Sequence, residues 1–263
     1  MNIPFVIMLL FAILERSPRL RFRPSRLLRR YYASDVFYLL TGFIAGGSLV
    51  AMYISVATQW LGSLLRSPRL AALELPLWLS VLLALLVLDF SNYFAHYLLH
   101  RYDLFWEFHK IHHSSAKLDW LATFRSHILE QTLRRLIAPI LLILIGFPTY
   151  VVALAGGVFI AWGIFNHANL RFRLDILETI LITPHLHRVH HLPNMSHTNL
   201  GTIFSFWDRL RGTLTVVEIE PDTYFGNGEP LYPQSWLPQF IEPFRRIGLL
   251  LKDSIIPQER DRV

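Results

Sequence analysis

Long stretches of this chain carry no charge, and that limits what it can fold into more than any other feature. No Asp, Glu, Lys or Arg occurs from Val36 to Leu65 or from Leu136 to Leu170, and from Leu75 to His100 the only one is Asp89. Such runs exceed the ~20 residues that cross a bilayer. A helix apolar all round for so long does not suit the half-wet surface of a soluble domain. The bulk composition agrees, with 53% hydrophobic and 17% charged residues. The chain is therefore read as an integral membrane protein.

The net charge of +6 is concentrated in one place. Residues 15–30 hold Glu15 and Arg16, Arg19, Arg21, Arg23, Arg26, Arg29 and Arg30, just ahead of the first long apolar run. That position fits the positive-inside rule and contact with anionic headgroups, so no nucleic-acid partner is expected. Residues 3–14 (IPFVIMLLFAIL) resemble the apolar core of a signal peptide, but no basic residue precedes them and no small-residue cleavage site follows. A short interfacial or partly inserted helix is expected there. The chain has no cysteine, which excludes disulfides, thiolate metal sites and iron–sulfur clusters. Any metal must take nitrogen and oxygen ligands.

Residues 36–60 read as a first span, with Gly42, Gly46 and Gly47 available for close packing. Residues 61–74 read as a connector, and a second span runs as one helix from near Pro76 through His100. Residues 136–166 are apolar again and break at Gly146-Phe147-Pro148. About 31 helical residues give ~46 Å, short of two ~30 Å crossings, so a tight hairpin of shallow or tilted helices is expected. An amphipathic stretch, 239–252, could lie on the membrane surface.

All 12 histidines fall between His96 and His197. They form HYLLH (His96, His100), HKIHH (His109, His112, His113) and HRVHH (His187, His190, His191), with His167 in NHAN. His96 and His100 share a helical face. In each HxxHH, adjacent rings point about 100° apart, so one triplet can serve two neighbouring ions. Nine imidazoles are too many for one metal. His167 joins the set because the hairpin returns it to the side of the other groups, where the Arg cluster also lies. That side is expected to be cytoplasmic. His127 in FRSHILE is added as a ligand, while His185 and His197 are left open as neighbours of the site.

All-imidazole sites suit zinc, copper, nickel or iron. Redox iron gives a reason for pairing metals, because two ions can share the electrons that reduce O₂. Asp89 lies seven residues before His96 and Tyr93 three before it, on the same helix face. Asp89 is expected to orient a ligand by a hydrogen bond. A zinc-dependent membrane hydrolase is one alternative; it would need only three histidines, a carboxylate and a water. A metal-binding or transport protein is the other, but transport sites sit near the midplane of spans rather than at their flanks.

From Leu88 to Val217 the chain resembles the fatty acid hydroxylase and sterol desaturase superfamily of membrane non-haem di-iron enzymes. The resemblance rests on LDFSNYFAHYLLHRYDLFWEFHKIHHSS, FRSHILE, NHAN, TPHLHRVHH and the closing NLGTIFSFWDRLRGT. It implies that His96, His100, His109, His112, His113, His167, His187, His190 and His191 hold two irons. His127 occupies the position of a family histidine that often precedes proline, although Ile128 follows it here. Asn199, Gly201, Trp207 and Asp208 match the closing phrase, where Asp208 would support the site as Asp89 does. The implied reaction is O₂-dependent oxidation of an unactivated C–H bond of a fatty acyl chain, sterol or related lipid, ending in an alcohol or an alkene. Trp106, Phe105, Trp120, Phe124, Phe204 and Phe206 could line the lipid's path.

No segment resembles a fused cytochrome b5 domain, so electrons are expected from a separate reductase, cytochrome b5 or ferredoxin-type protein. Arg101, Lys110, Lys117 and Arg125 are candidates for docking it. The expected architecture is all-α: about four membrane helices in two hairpins, capped by a cytoplasmic helical His-rich di-metal domain. In sequence this divides into residues 1–33 (apolar segment and Arg-rich stretch), 34–217 (membrane-embedded catalytic domain) and 218–263 (cytoplasmic or interfacial tail).

Overall fold

The computed structural model describes residues 3–24, 26, 28–42, 52, 55, 56, 75–173 and 175–255. The expected first span lies outside these beyond Gly42, apart from residues 52, 55 and 56, and so does the connector 61–74. Among the described residues the chain is all-helical, and its only extended pairings are the isolated bridges Arg21–Leu170 and Leu181–Phe204.

Three helices form the trunk: α3 (Leu77–Arg101), α5 (Ile128–Ile145) and α6 (Thr149–His167). They are preceded by α1 (Ile3–Leu14) and α2 (Tyr32–Thr41), with α4 (Asp103–His113) between α3 and α5. The trunk is sealed by Ala84 and Leu88 of α3, Ala138 and Leu142 of α5, Phe147 of the turn, and Val151 and Ala155 of α6. The outward faces are the reverse of a soluble protein's. Trp78, Leu82, Phe90 and Phe94 on α3, Ile137 and Leu141 on α5, and Tyr150 and Leu154 on α6 are exposed. A continuous apolar exterior of this kind suits lipid rather than water. Helices α3 and α6 are each long and apolar enough to cross a membrane.

The α5–α6 turn forms where expected. Gly146 takes φ 99° and its N–H bonds back to Leu142 and Ile143, after which Pro148 caps α6. The arms are longer than expected, however. Helix α5 starts at Ile128, ahead of the uncharged run, so the arms of 18 and 19 residues rise about 27 and 28 Å. Polar partners let α5 start early. Glu130 faces His109, Arg134 holds Asn92 Oδ1 at 2.7 and 2.9 Å, and Arg135 donates to the Gly42 carbonyl.

Helix α1 packs its Ile7, Met8 and Phe11 against Phe124 and Ile164 rather than standing apart. The arginine cluster is partly structural. Arg29 bridges Asp35 and Asp119 at 2.5 Å each, and Arg23 lies over the Phe225 ring. Three short helices follow the trunk, α7 (Asp175–Glu178), α8 (Pro184–His190) and α9 (Phe206–Arg211). The last described helix is α10 (Trp236–Ile255), longer than the amphipathic stretch read from sequence. It docks on α2 and α4 through Gln239, which meets Tyr38 and Ser114.

Candidate metal centre

The ends of α3 and α6, the last turn of α4 and the whole of α8 converge. His96 and His100 come from α3, His109, His112 and His113 from α4, His167 from α6, and His187 and His190 from α8, which His191 caps. Pro184 starts α8 with its φ already helical. The Thr183 side chain, at its N-cap, accepts from the Leu186 N–H.

Nine imidazoles form two groups. His96, His100, His109, His113 and His190 make one, and His112, His167, His187 and His191 the other. Within each group the ligand atoms lie within 4.8 Å of one another, and all nine residues are buried. Each HxxHH motif divides between the groups, because neighbouring helical residues point about 100° apart. The His113 and His191 rings stack at 4.5 Å, so the two groups are neighbours.

Tautomers follow from the partners of Nδ1. In His96, His112, His167 and His190 this nitrogen faces a backbone carbonyl, of Leu200, Arg125, Gly163 and Thr198, at 2.8 to 3.2 Å. In His109 it faces Glu130 Oε1 at 2.8 Å. These oxygens only accept, so each Nδ1 carries the proton and each Nε2 presents a lone pair. Yet His96 Nε2 lies 3.0 Å from His109 Nε2, and His112 Nε2 lies 3.1 Å from His167 Nε2. Two lone pairs at that distance repel unless a cation sits between them. The buried Nε2 atoms of His113 and His190 have no hydrogen-bond partner.

In the four-histidine group a proton is a poor choice for that cation. Burial, reinforced by the neighbouring imidazoles, holds His112, His113, His187 and His191 well below the ordinary histidine range and pushes His190 down to about 3. Neutral, nitrogen-only, convergent donors fit borderline transition metals.

The carboxylates sit differently from expectation. Asp89 does not touch a histidine. It accepts from the Ile203 and Phe204 N–H groups and from Trp207 Nε1, at 2.8 to 3.0 Å. Asp208 accepts from the N–H groups of Leu200 and Gly201 and from the Thr213 hydroxyl, at 2.7 to 2.9 Å. Together they pin residues 200–204, and Leu200 in turn holds His96. A Cβ at Gly201 would crowd the Phe204 carbonyl and Asp208, so this loop needs glycine there. The carboxylate that does reach a histidine of the two groups is Glu130, which sequence reasoning missed. Its partner is 21 residues away on another helix, and its one visible signal is a charge at the start of an apolar helix.

His127 stands outside both groups and is not brought to the ligands. It caps α5, its Nδ1 accepting from the Leu129 N–H at 3.2 Å, and its ring stacks on Phe240 at 4.7 Å. His185 lies between Glu178 and the Val217 carbonyl. His197 has its ring 5.9 Å from that of His100. Of the four cations considered for docking a donor, Lys110 is buried between Glu107 and Glu229, and Arg125 is buried against Asp35. Arg101 and Lys117 are exposed.

A cavity of about 300 Å³ opens against the histidines between α3, α5 and α6. His112, His167 and His187 of the four-histidine group border it, together with His96 of the other. Of the six aromatic residues considered for the lipid path, Phe124 alone borders this cavity. Trp106 instead packs on His100 and His113.

Residues 81–213 match the family model described as fatty acid hydroxylase. Among curated proteins, the chain is 32% identical over 193 residues to an ornithine lipid hydroxylase, OlsE, of Rhizobium tropici, an alignment covering 70% of this chain and 58% of that protein. It is 34% identical over 133 residues to an alkylglycerol monooxygenase of Danio rerio, and 30% identical over 132 residues to that of Homo sapiens. These two alignments cover 50% and 49% of this chain, and 29% of each relative. The chain thus spans little more than half of the first relative's length and under a third of the other two. No solved structure matches it significantly.

Proposed function

The chain belongs to the fatty acid hydroxylase family, and on that premise we propose that it hydroxylates a lipid at a pair of histidine-bound iron ions. The observation that carries this reading is the facing lone pairs of His96 with His109 and of His112 with His167. His96, His100, His109, His113 and His190 would hold one ion, and His112, His167, His187 and His191 the other. Iron bound there would supply the oxidising power to break an unactivated C–H bond, using O₂ and electrons from a separate donor protein. The overall balance puts one oxygen atom into the C–H bond and releases the other as water, consuming two electrons and two protons.

The chain's own residues set the conditions for that chemistry. Asp89 and Asp208 fix the loop behind His96, and Glu130 fixes the tautomer and orientation of His109. Burial keeps bulk water from the histidines. Leu88, Ala138, Phe159 and Ile160 give the cavity an apolar wall suited to a hydrocarbon chain. The relatives are a hydroxylase and monooxygenases, which supports oxygen insertion over desaturation. Neither histidine group includes a carboxylate ligand, which weighs against the zinc hydrolase.

The same reading assigns residues 34–217 to the membrane-embedded catalytic unit, with the histidines and the arginine cluster on the cytoplasmic face. Metal analysis of protein purified anaerobically after iron-replete expression tests it. Two irons per chain are expected. Stoichiometric zinc persisting under those conditions, with exchange during purification excluded, would sink it.

A further inference from the structure

Helix α6 presents glycine to the cavity at two levels. Gly156 and Gly163 both border it, and a spacing of seven residues puts them on one helix face. A Cβ built on Gly163 would touch Thr123 Cγ2 at 3.7 Å, whereas one on Gly156 would meet nothing within 4 Å. Gly156 is not among the glycines of positive φ. Neither backbone conformation nor close packing therefore asks for glycine at 156, where a mid-helix glycine is itself unfavourable.

Its place in the cavity accounts for it. The helical rise sets Gly156 about 16 Å from His167, and Leu88 on the facing helix about 12 Å from His96. The cavity wall at that far end is apolar, made by Leu88, Ala138, Phe159 and Ile160, while Asn92 and Arg134 lie nearer the histidines. We propose that Gly156 determines how long a hydrocarbon chain the cavity accepts: the lipid lies with its apolar tail towards Gly156 and the carbon to be oxidised at the histidines. This deepens the lipid-hydroxylation reading and rests on it.

The test is Gly156→Phe against Gly157→Phe. Gly157 is the next residue on the same helix, is exposed, does not border the cavity, and a Cβ there also meets nothing within 4 Å. Two chain-length distributions are measured by mass spectrometry: that of lipids co-purifying with the protein, and that of cellular lipids gaining one oxygen. Gly156→Phe should shift both to shorter chains, by about fourfold in relative preference for each methylene displaced. Gly157→Phe should match wild type. An unchanged distribution in Gly156→Phe, an equal shift in Gly157→Phe, or loss of oxygenation at every length without a shift in bound lipid would overturn the proposal. If Gly156→Phe fails to accumulate, Gly156→Ala and Gly156→Leu should give a graded shift of the same sign, and the lack of any such shift would overturn the proposal equally. Absence of oxygenated lipid with wild type would instead sink the hydroxylation reading, while the co-purified lipids still report on Gly156.

Discussion

His109 Nδ1 and Glu130 Oε1 lie 2.8 Å apart with both side chains fully buried, joining α4 to the first turn of α5. Glu130 also receives Arg134 at 3.3 Å. It is the one carboxylate hydrogen-bonded to a histidine of either group among the described residues. Removing it should free the ring to turn and leave its tautomer unfixed. Glu130→Ala is expected to lower metal affinity or turnover about 10- to 100-fold, and Glu130→Gln, which keeps an acceptor oxygen, should recover part of it. Iron content and product formation measured side by side check this, and wild-type values for Glu130→Ala would refute it.

The two histidine groups lead to a paired prediction. His190→Ala strikes the five-histidine group and His112→Ala the four-histidine group. Both should abolish O₂-dependent product formation, since on the proposed reading each group would hold one of two irons that act together. Full turnover in either variant would remove that histidine from the ligand set.

His127 should behave differently despite its place in a family motif. His127→Ala removes a helix N-cap and a ring stacked on Phe240. The lost cap alone should destabilise the fold by about 0.5 to 2 kcal/mol and leave the metal content unchanged. Thermal unfolding and metal analysis of the same preparation separate the outcomes. Loss of iron at unchanged stability would restore His127 to the ligands.

The buried neutral histidines also set a pH dependence for metal-free protein. His112, His113, His187, His190 and His191 have folded pKa values below the ~6.5 of an exposed histidine. As pH falls through ~6.5 the unfolded chain takes up protons first, which favours unfolding. Stability of the chelator-treated protein should therefore be full above that pH and decline steadily below it. Unfolding temperature in detergent at a series of pH values measures it, and a flat profile between about pH 7 and 5 would contradict neutral burial.

Much of the site could be read directly. The spacings in HYLLH, HKIHH and HRVHH state which rings share a helical face, and the division of each triplet between two groups follows from the same local periodicity. The uncharged runs marked α3 and the α5–α6 turn for the same reason, since Gly146 and Pro148 act on their own backbone. The start of α5 was not legible. Glu130 accepts from His109, Arg134 donates to Asn92 and Arg135 to the Gly42 carbonyl, and these partners meet only in the tertiary fold.

By itself, the sequence determined the helical class, the apolar trunk and the pairing of imidazoles by spacing, because side-chain direction along a helix is set by the residue's own backbone. Tertiary structure alone decided that Asp89 and Asp208 fasten a loop while Glu130 meets His109, that His127 turns away to Phe240, and that Gly156 looks into a cavity. Those outcomes depend on which helices pack together and at what level. Contacts between residues tens of positions apart follow from that packing and leave no period in the chain.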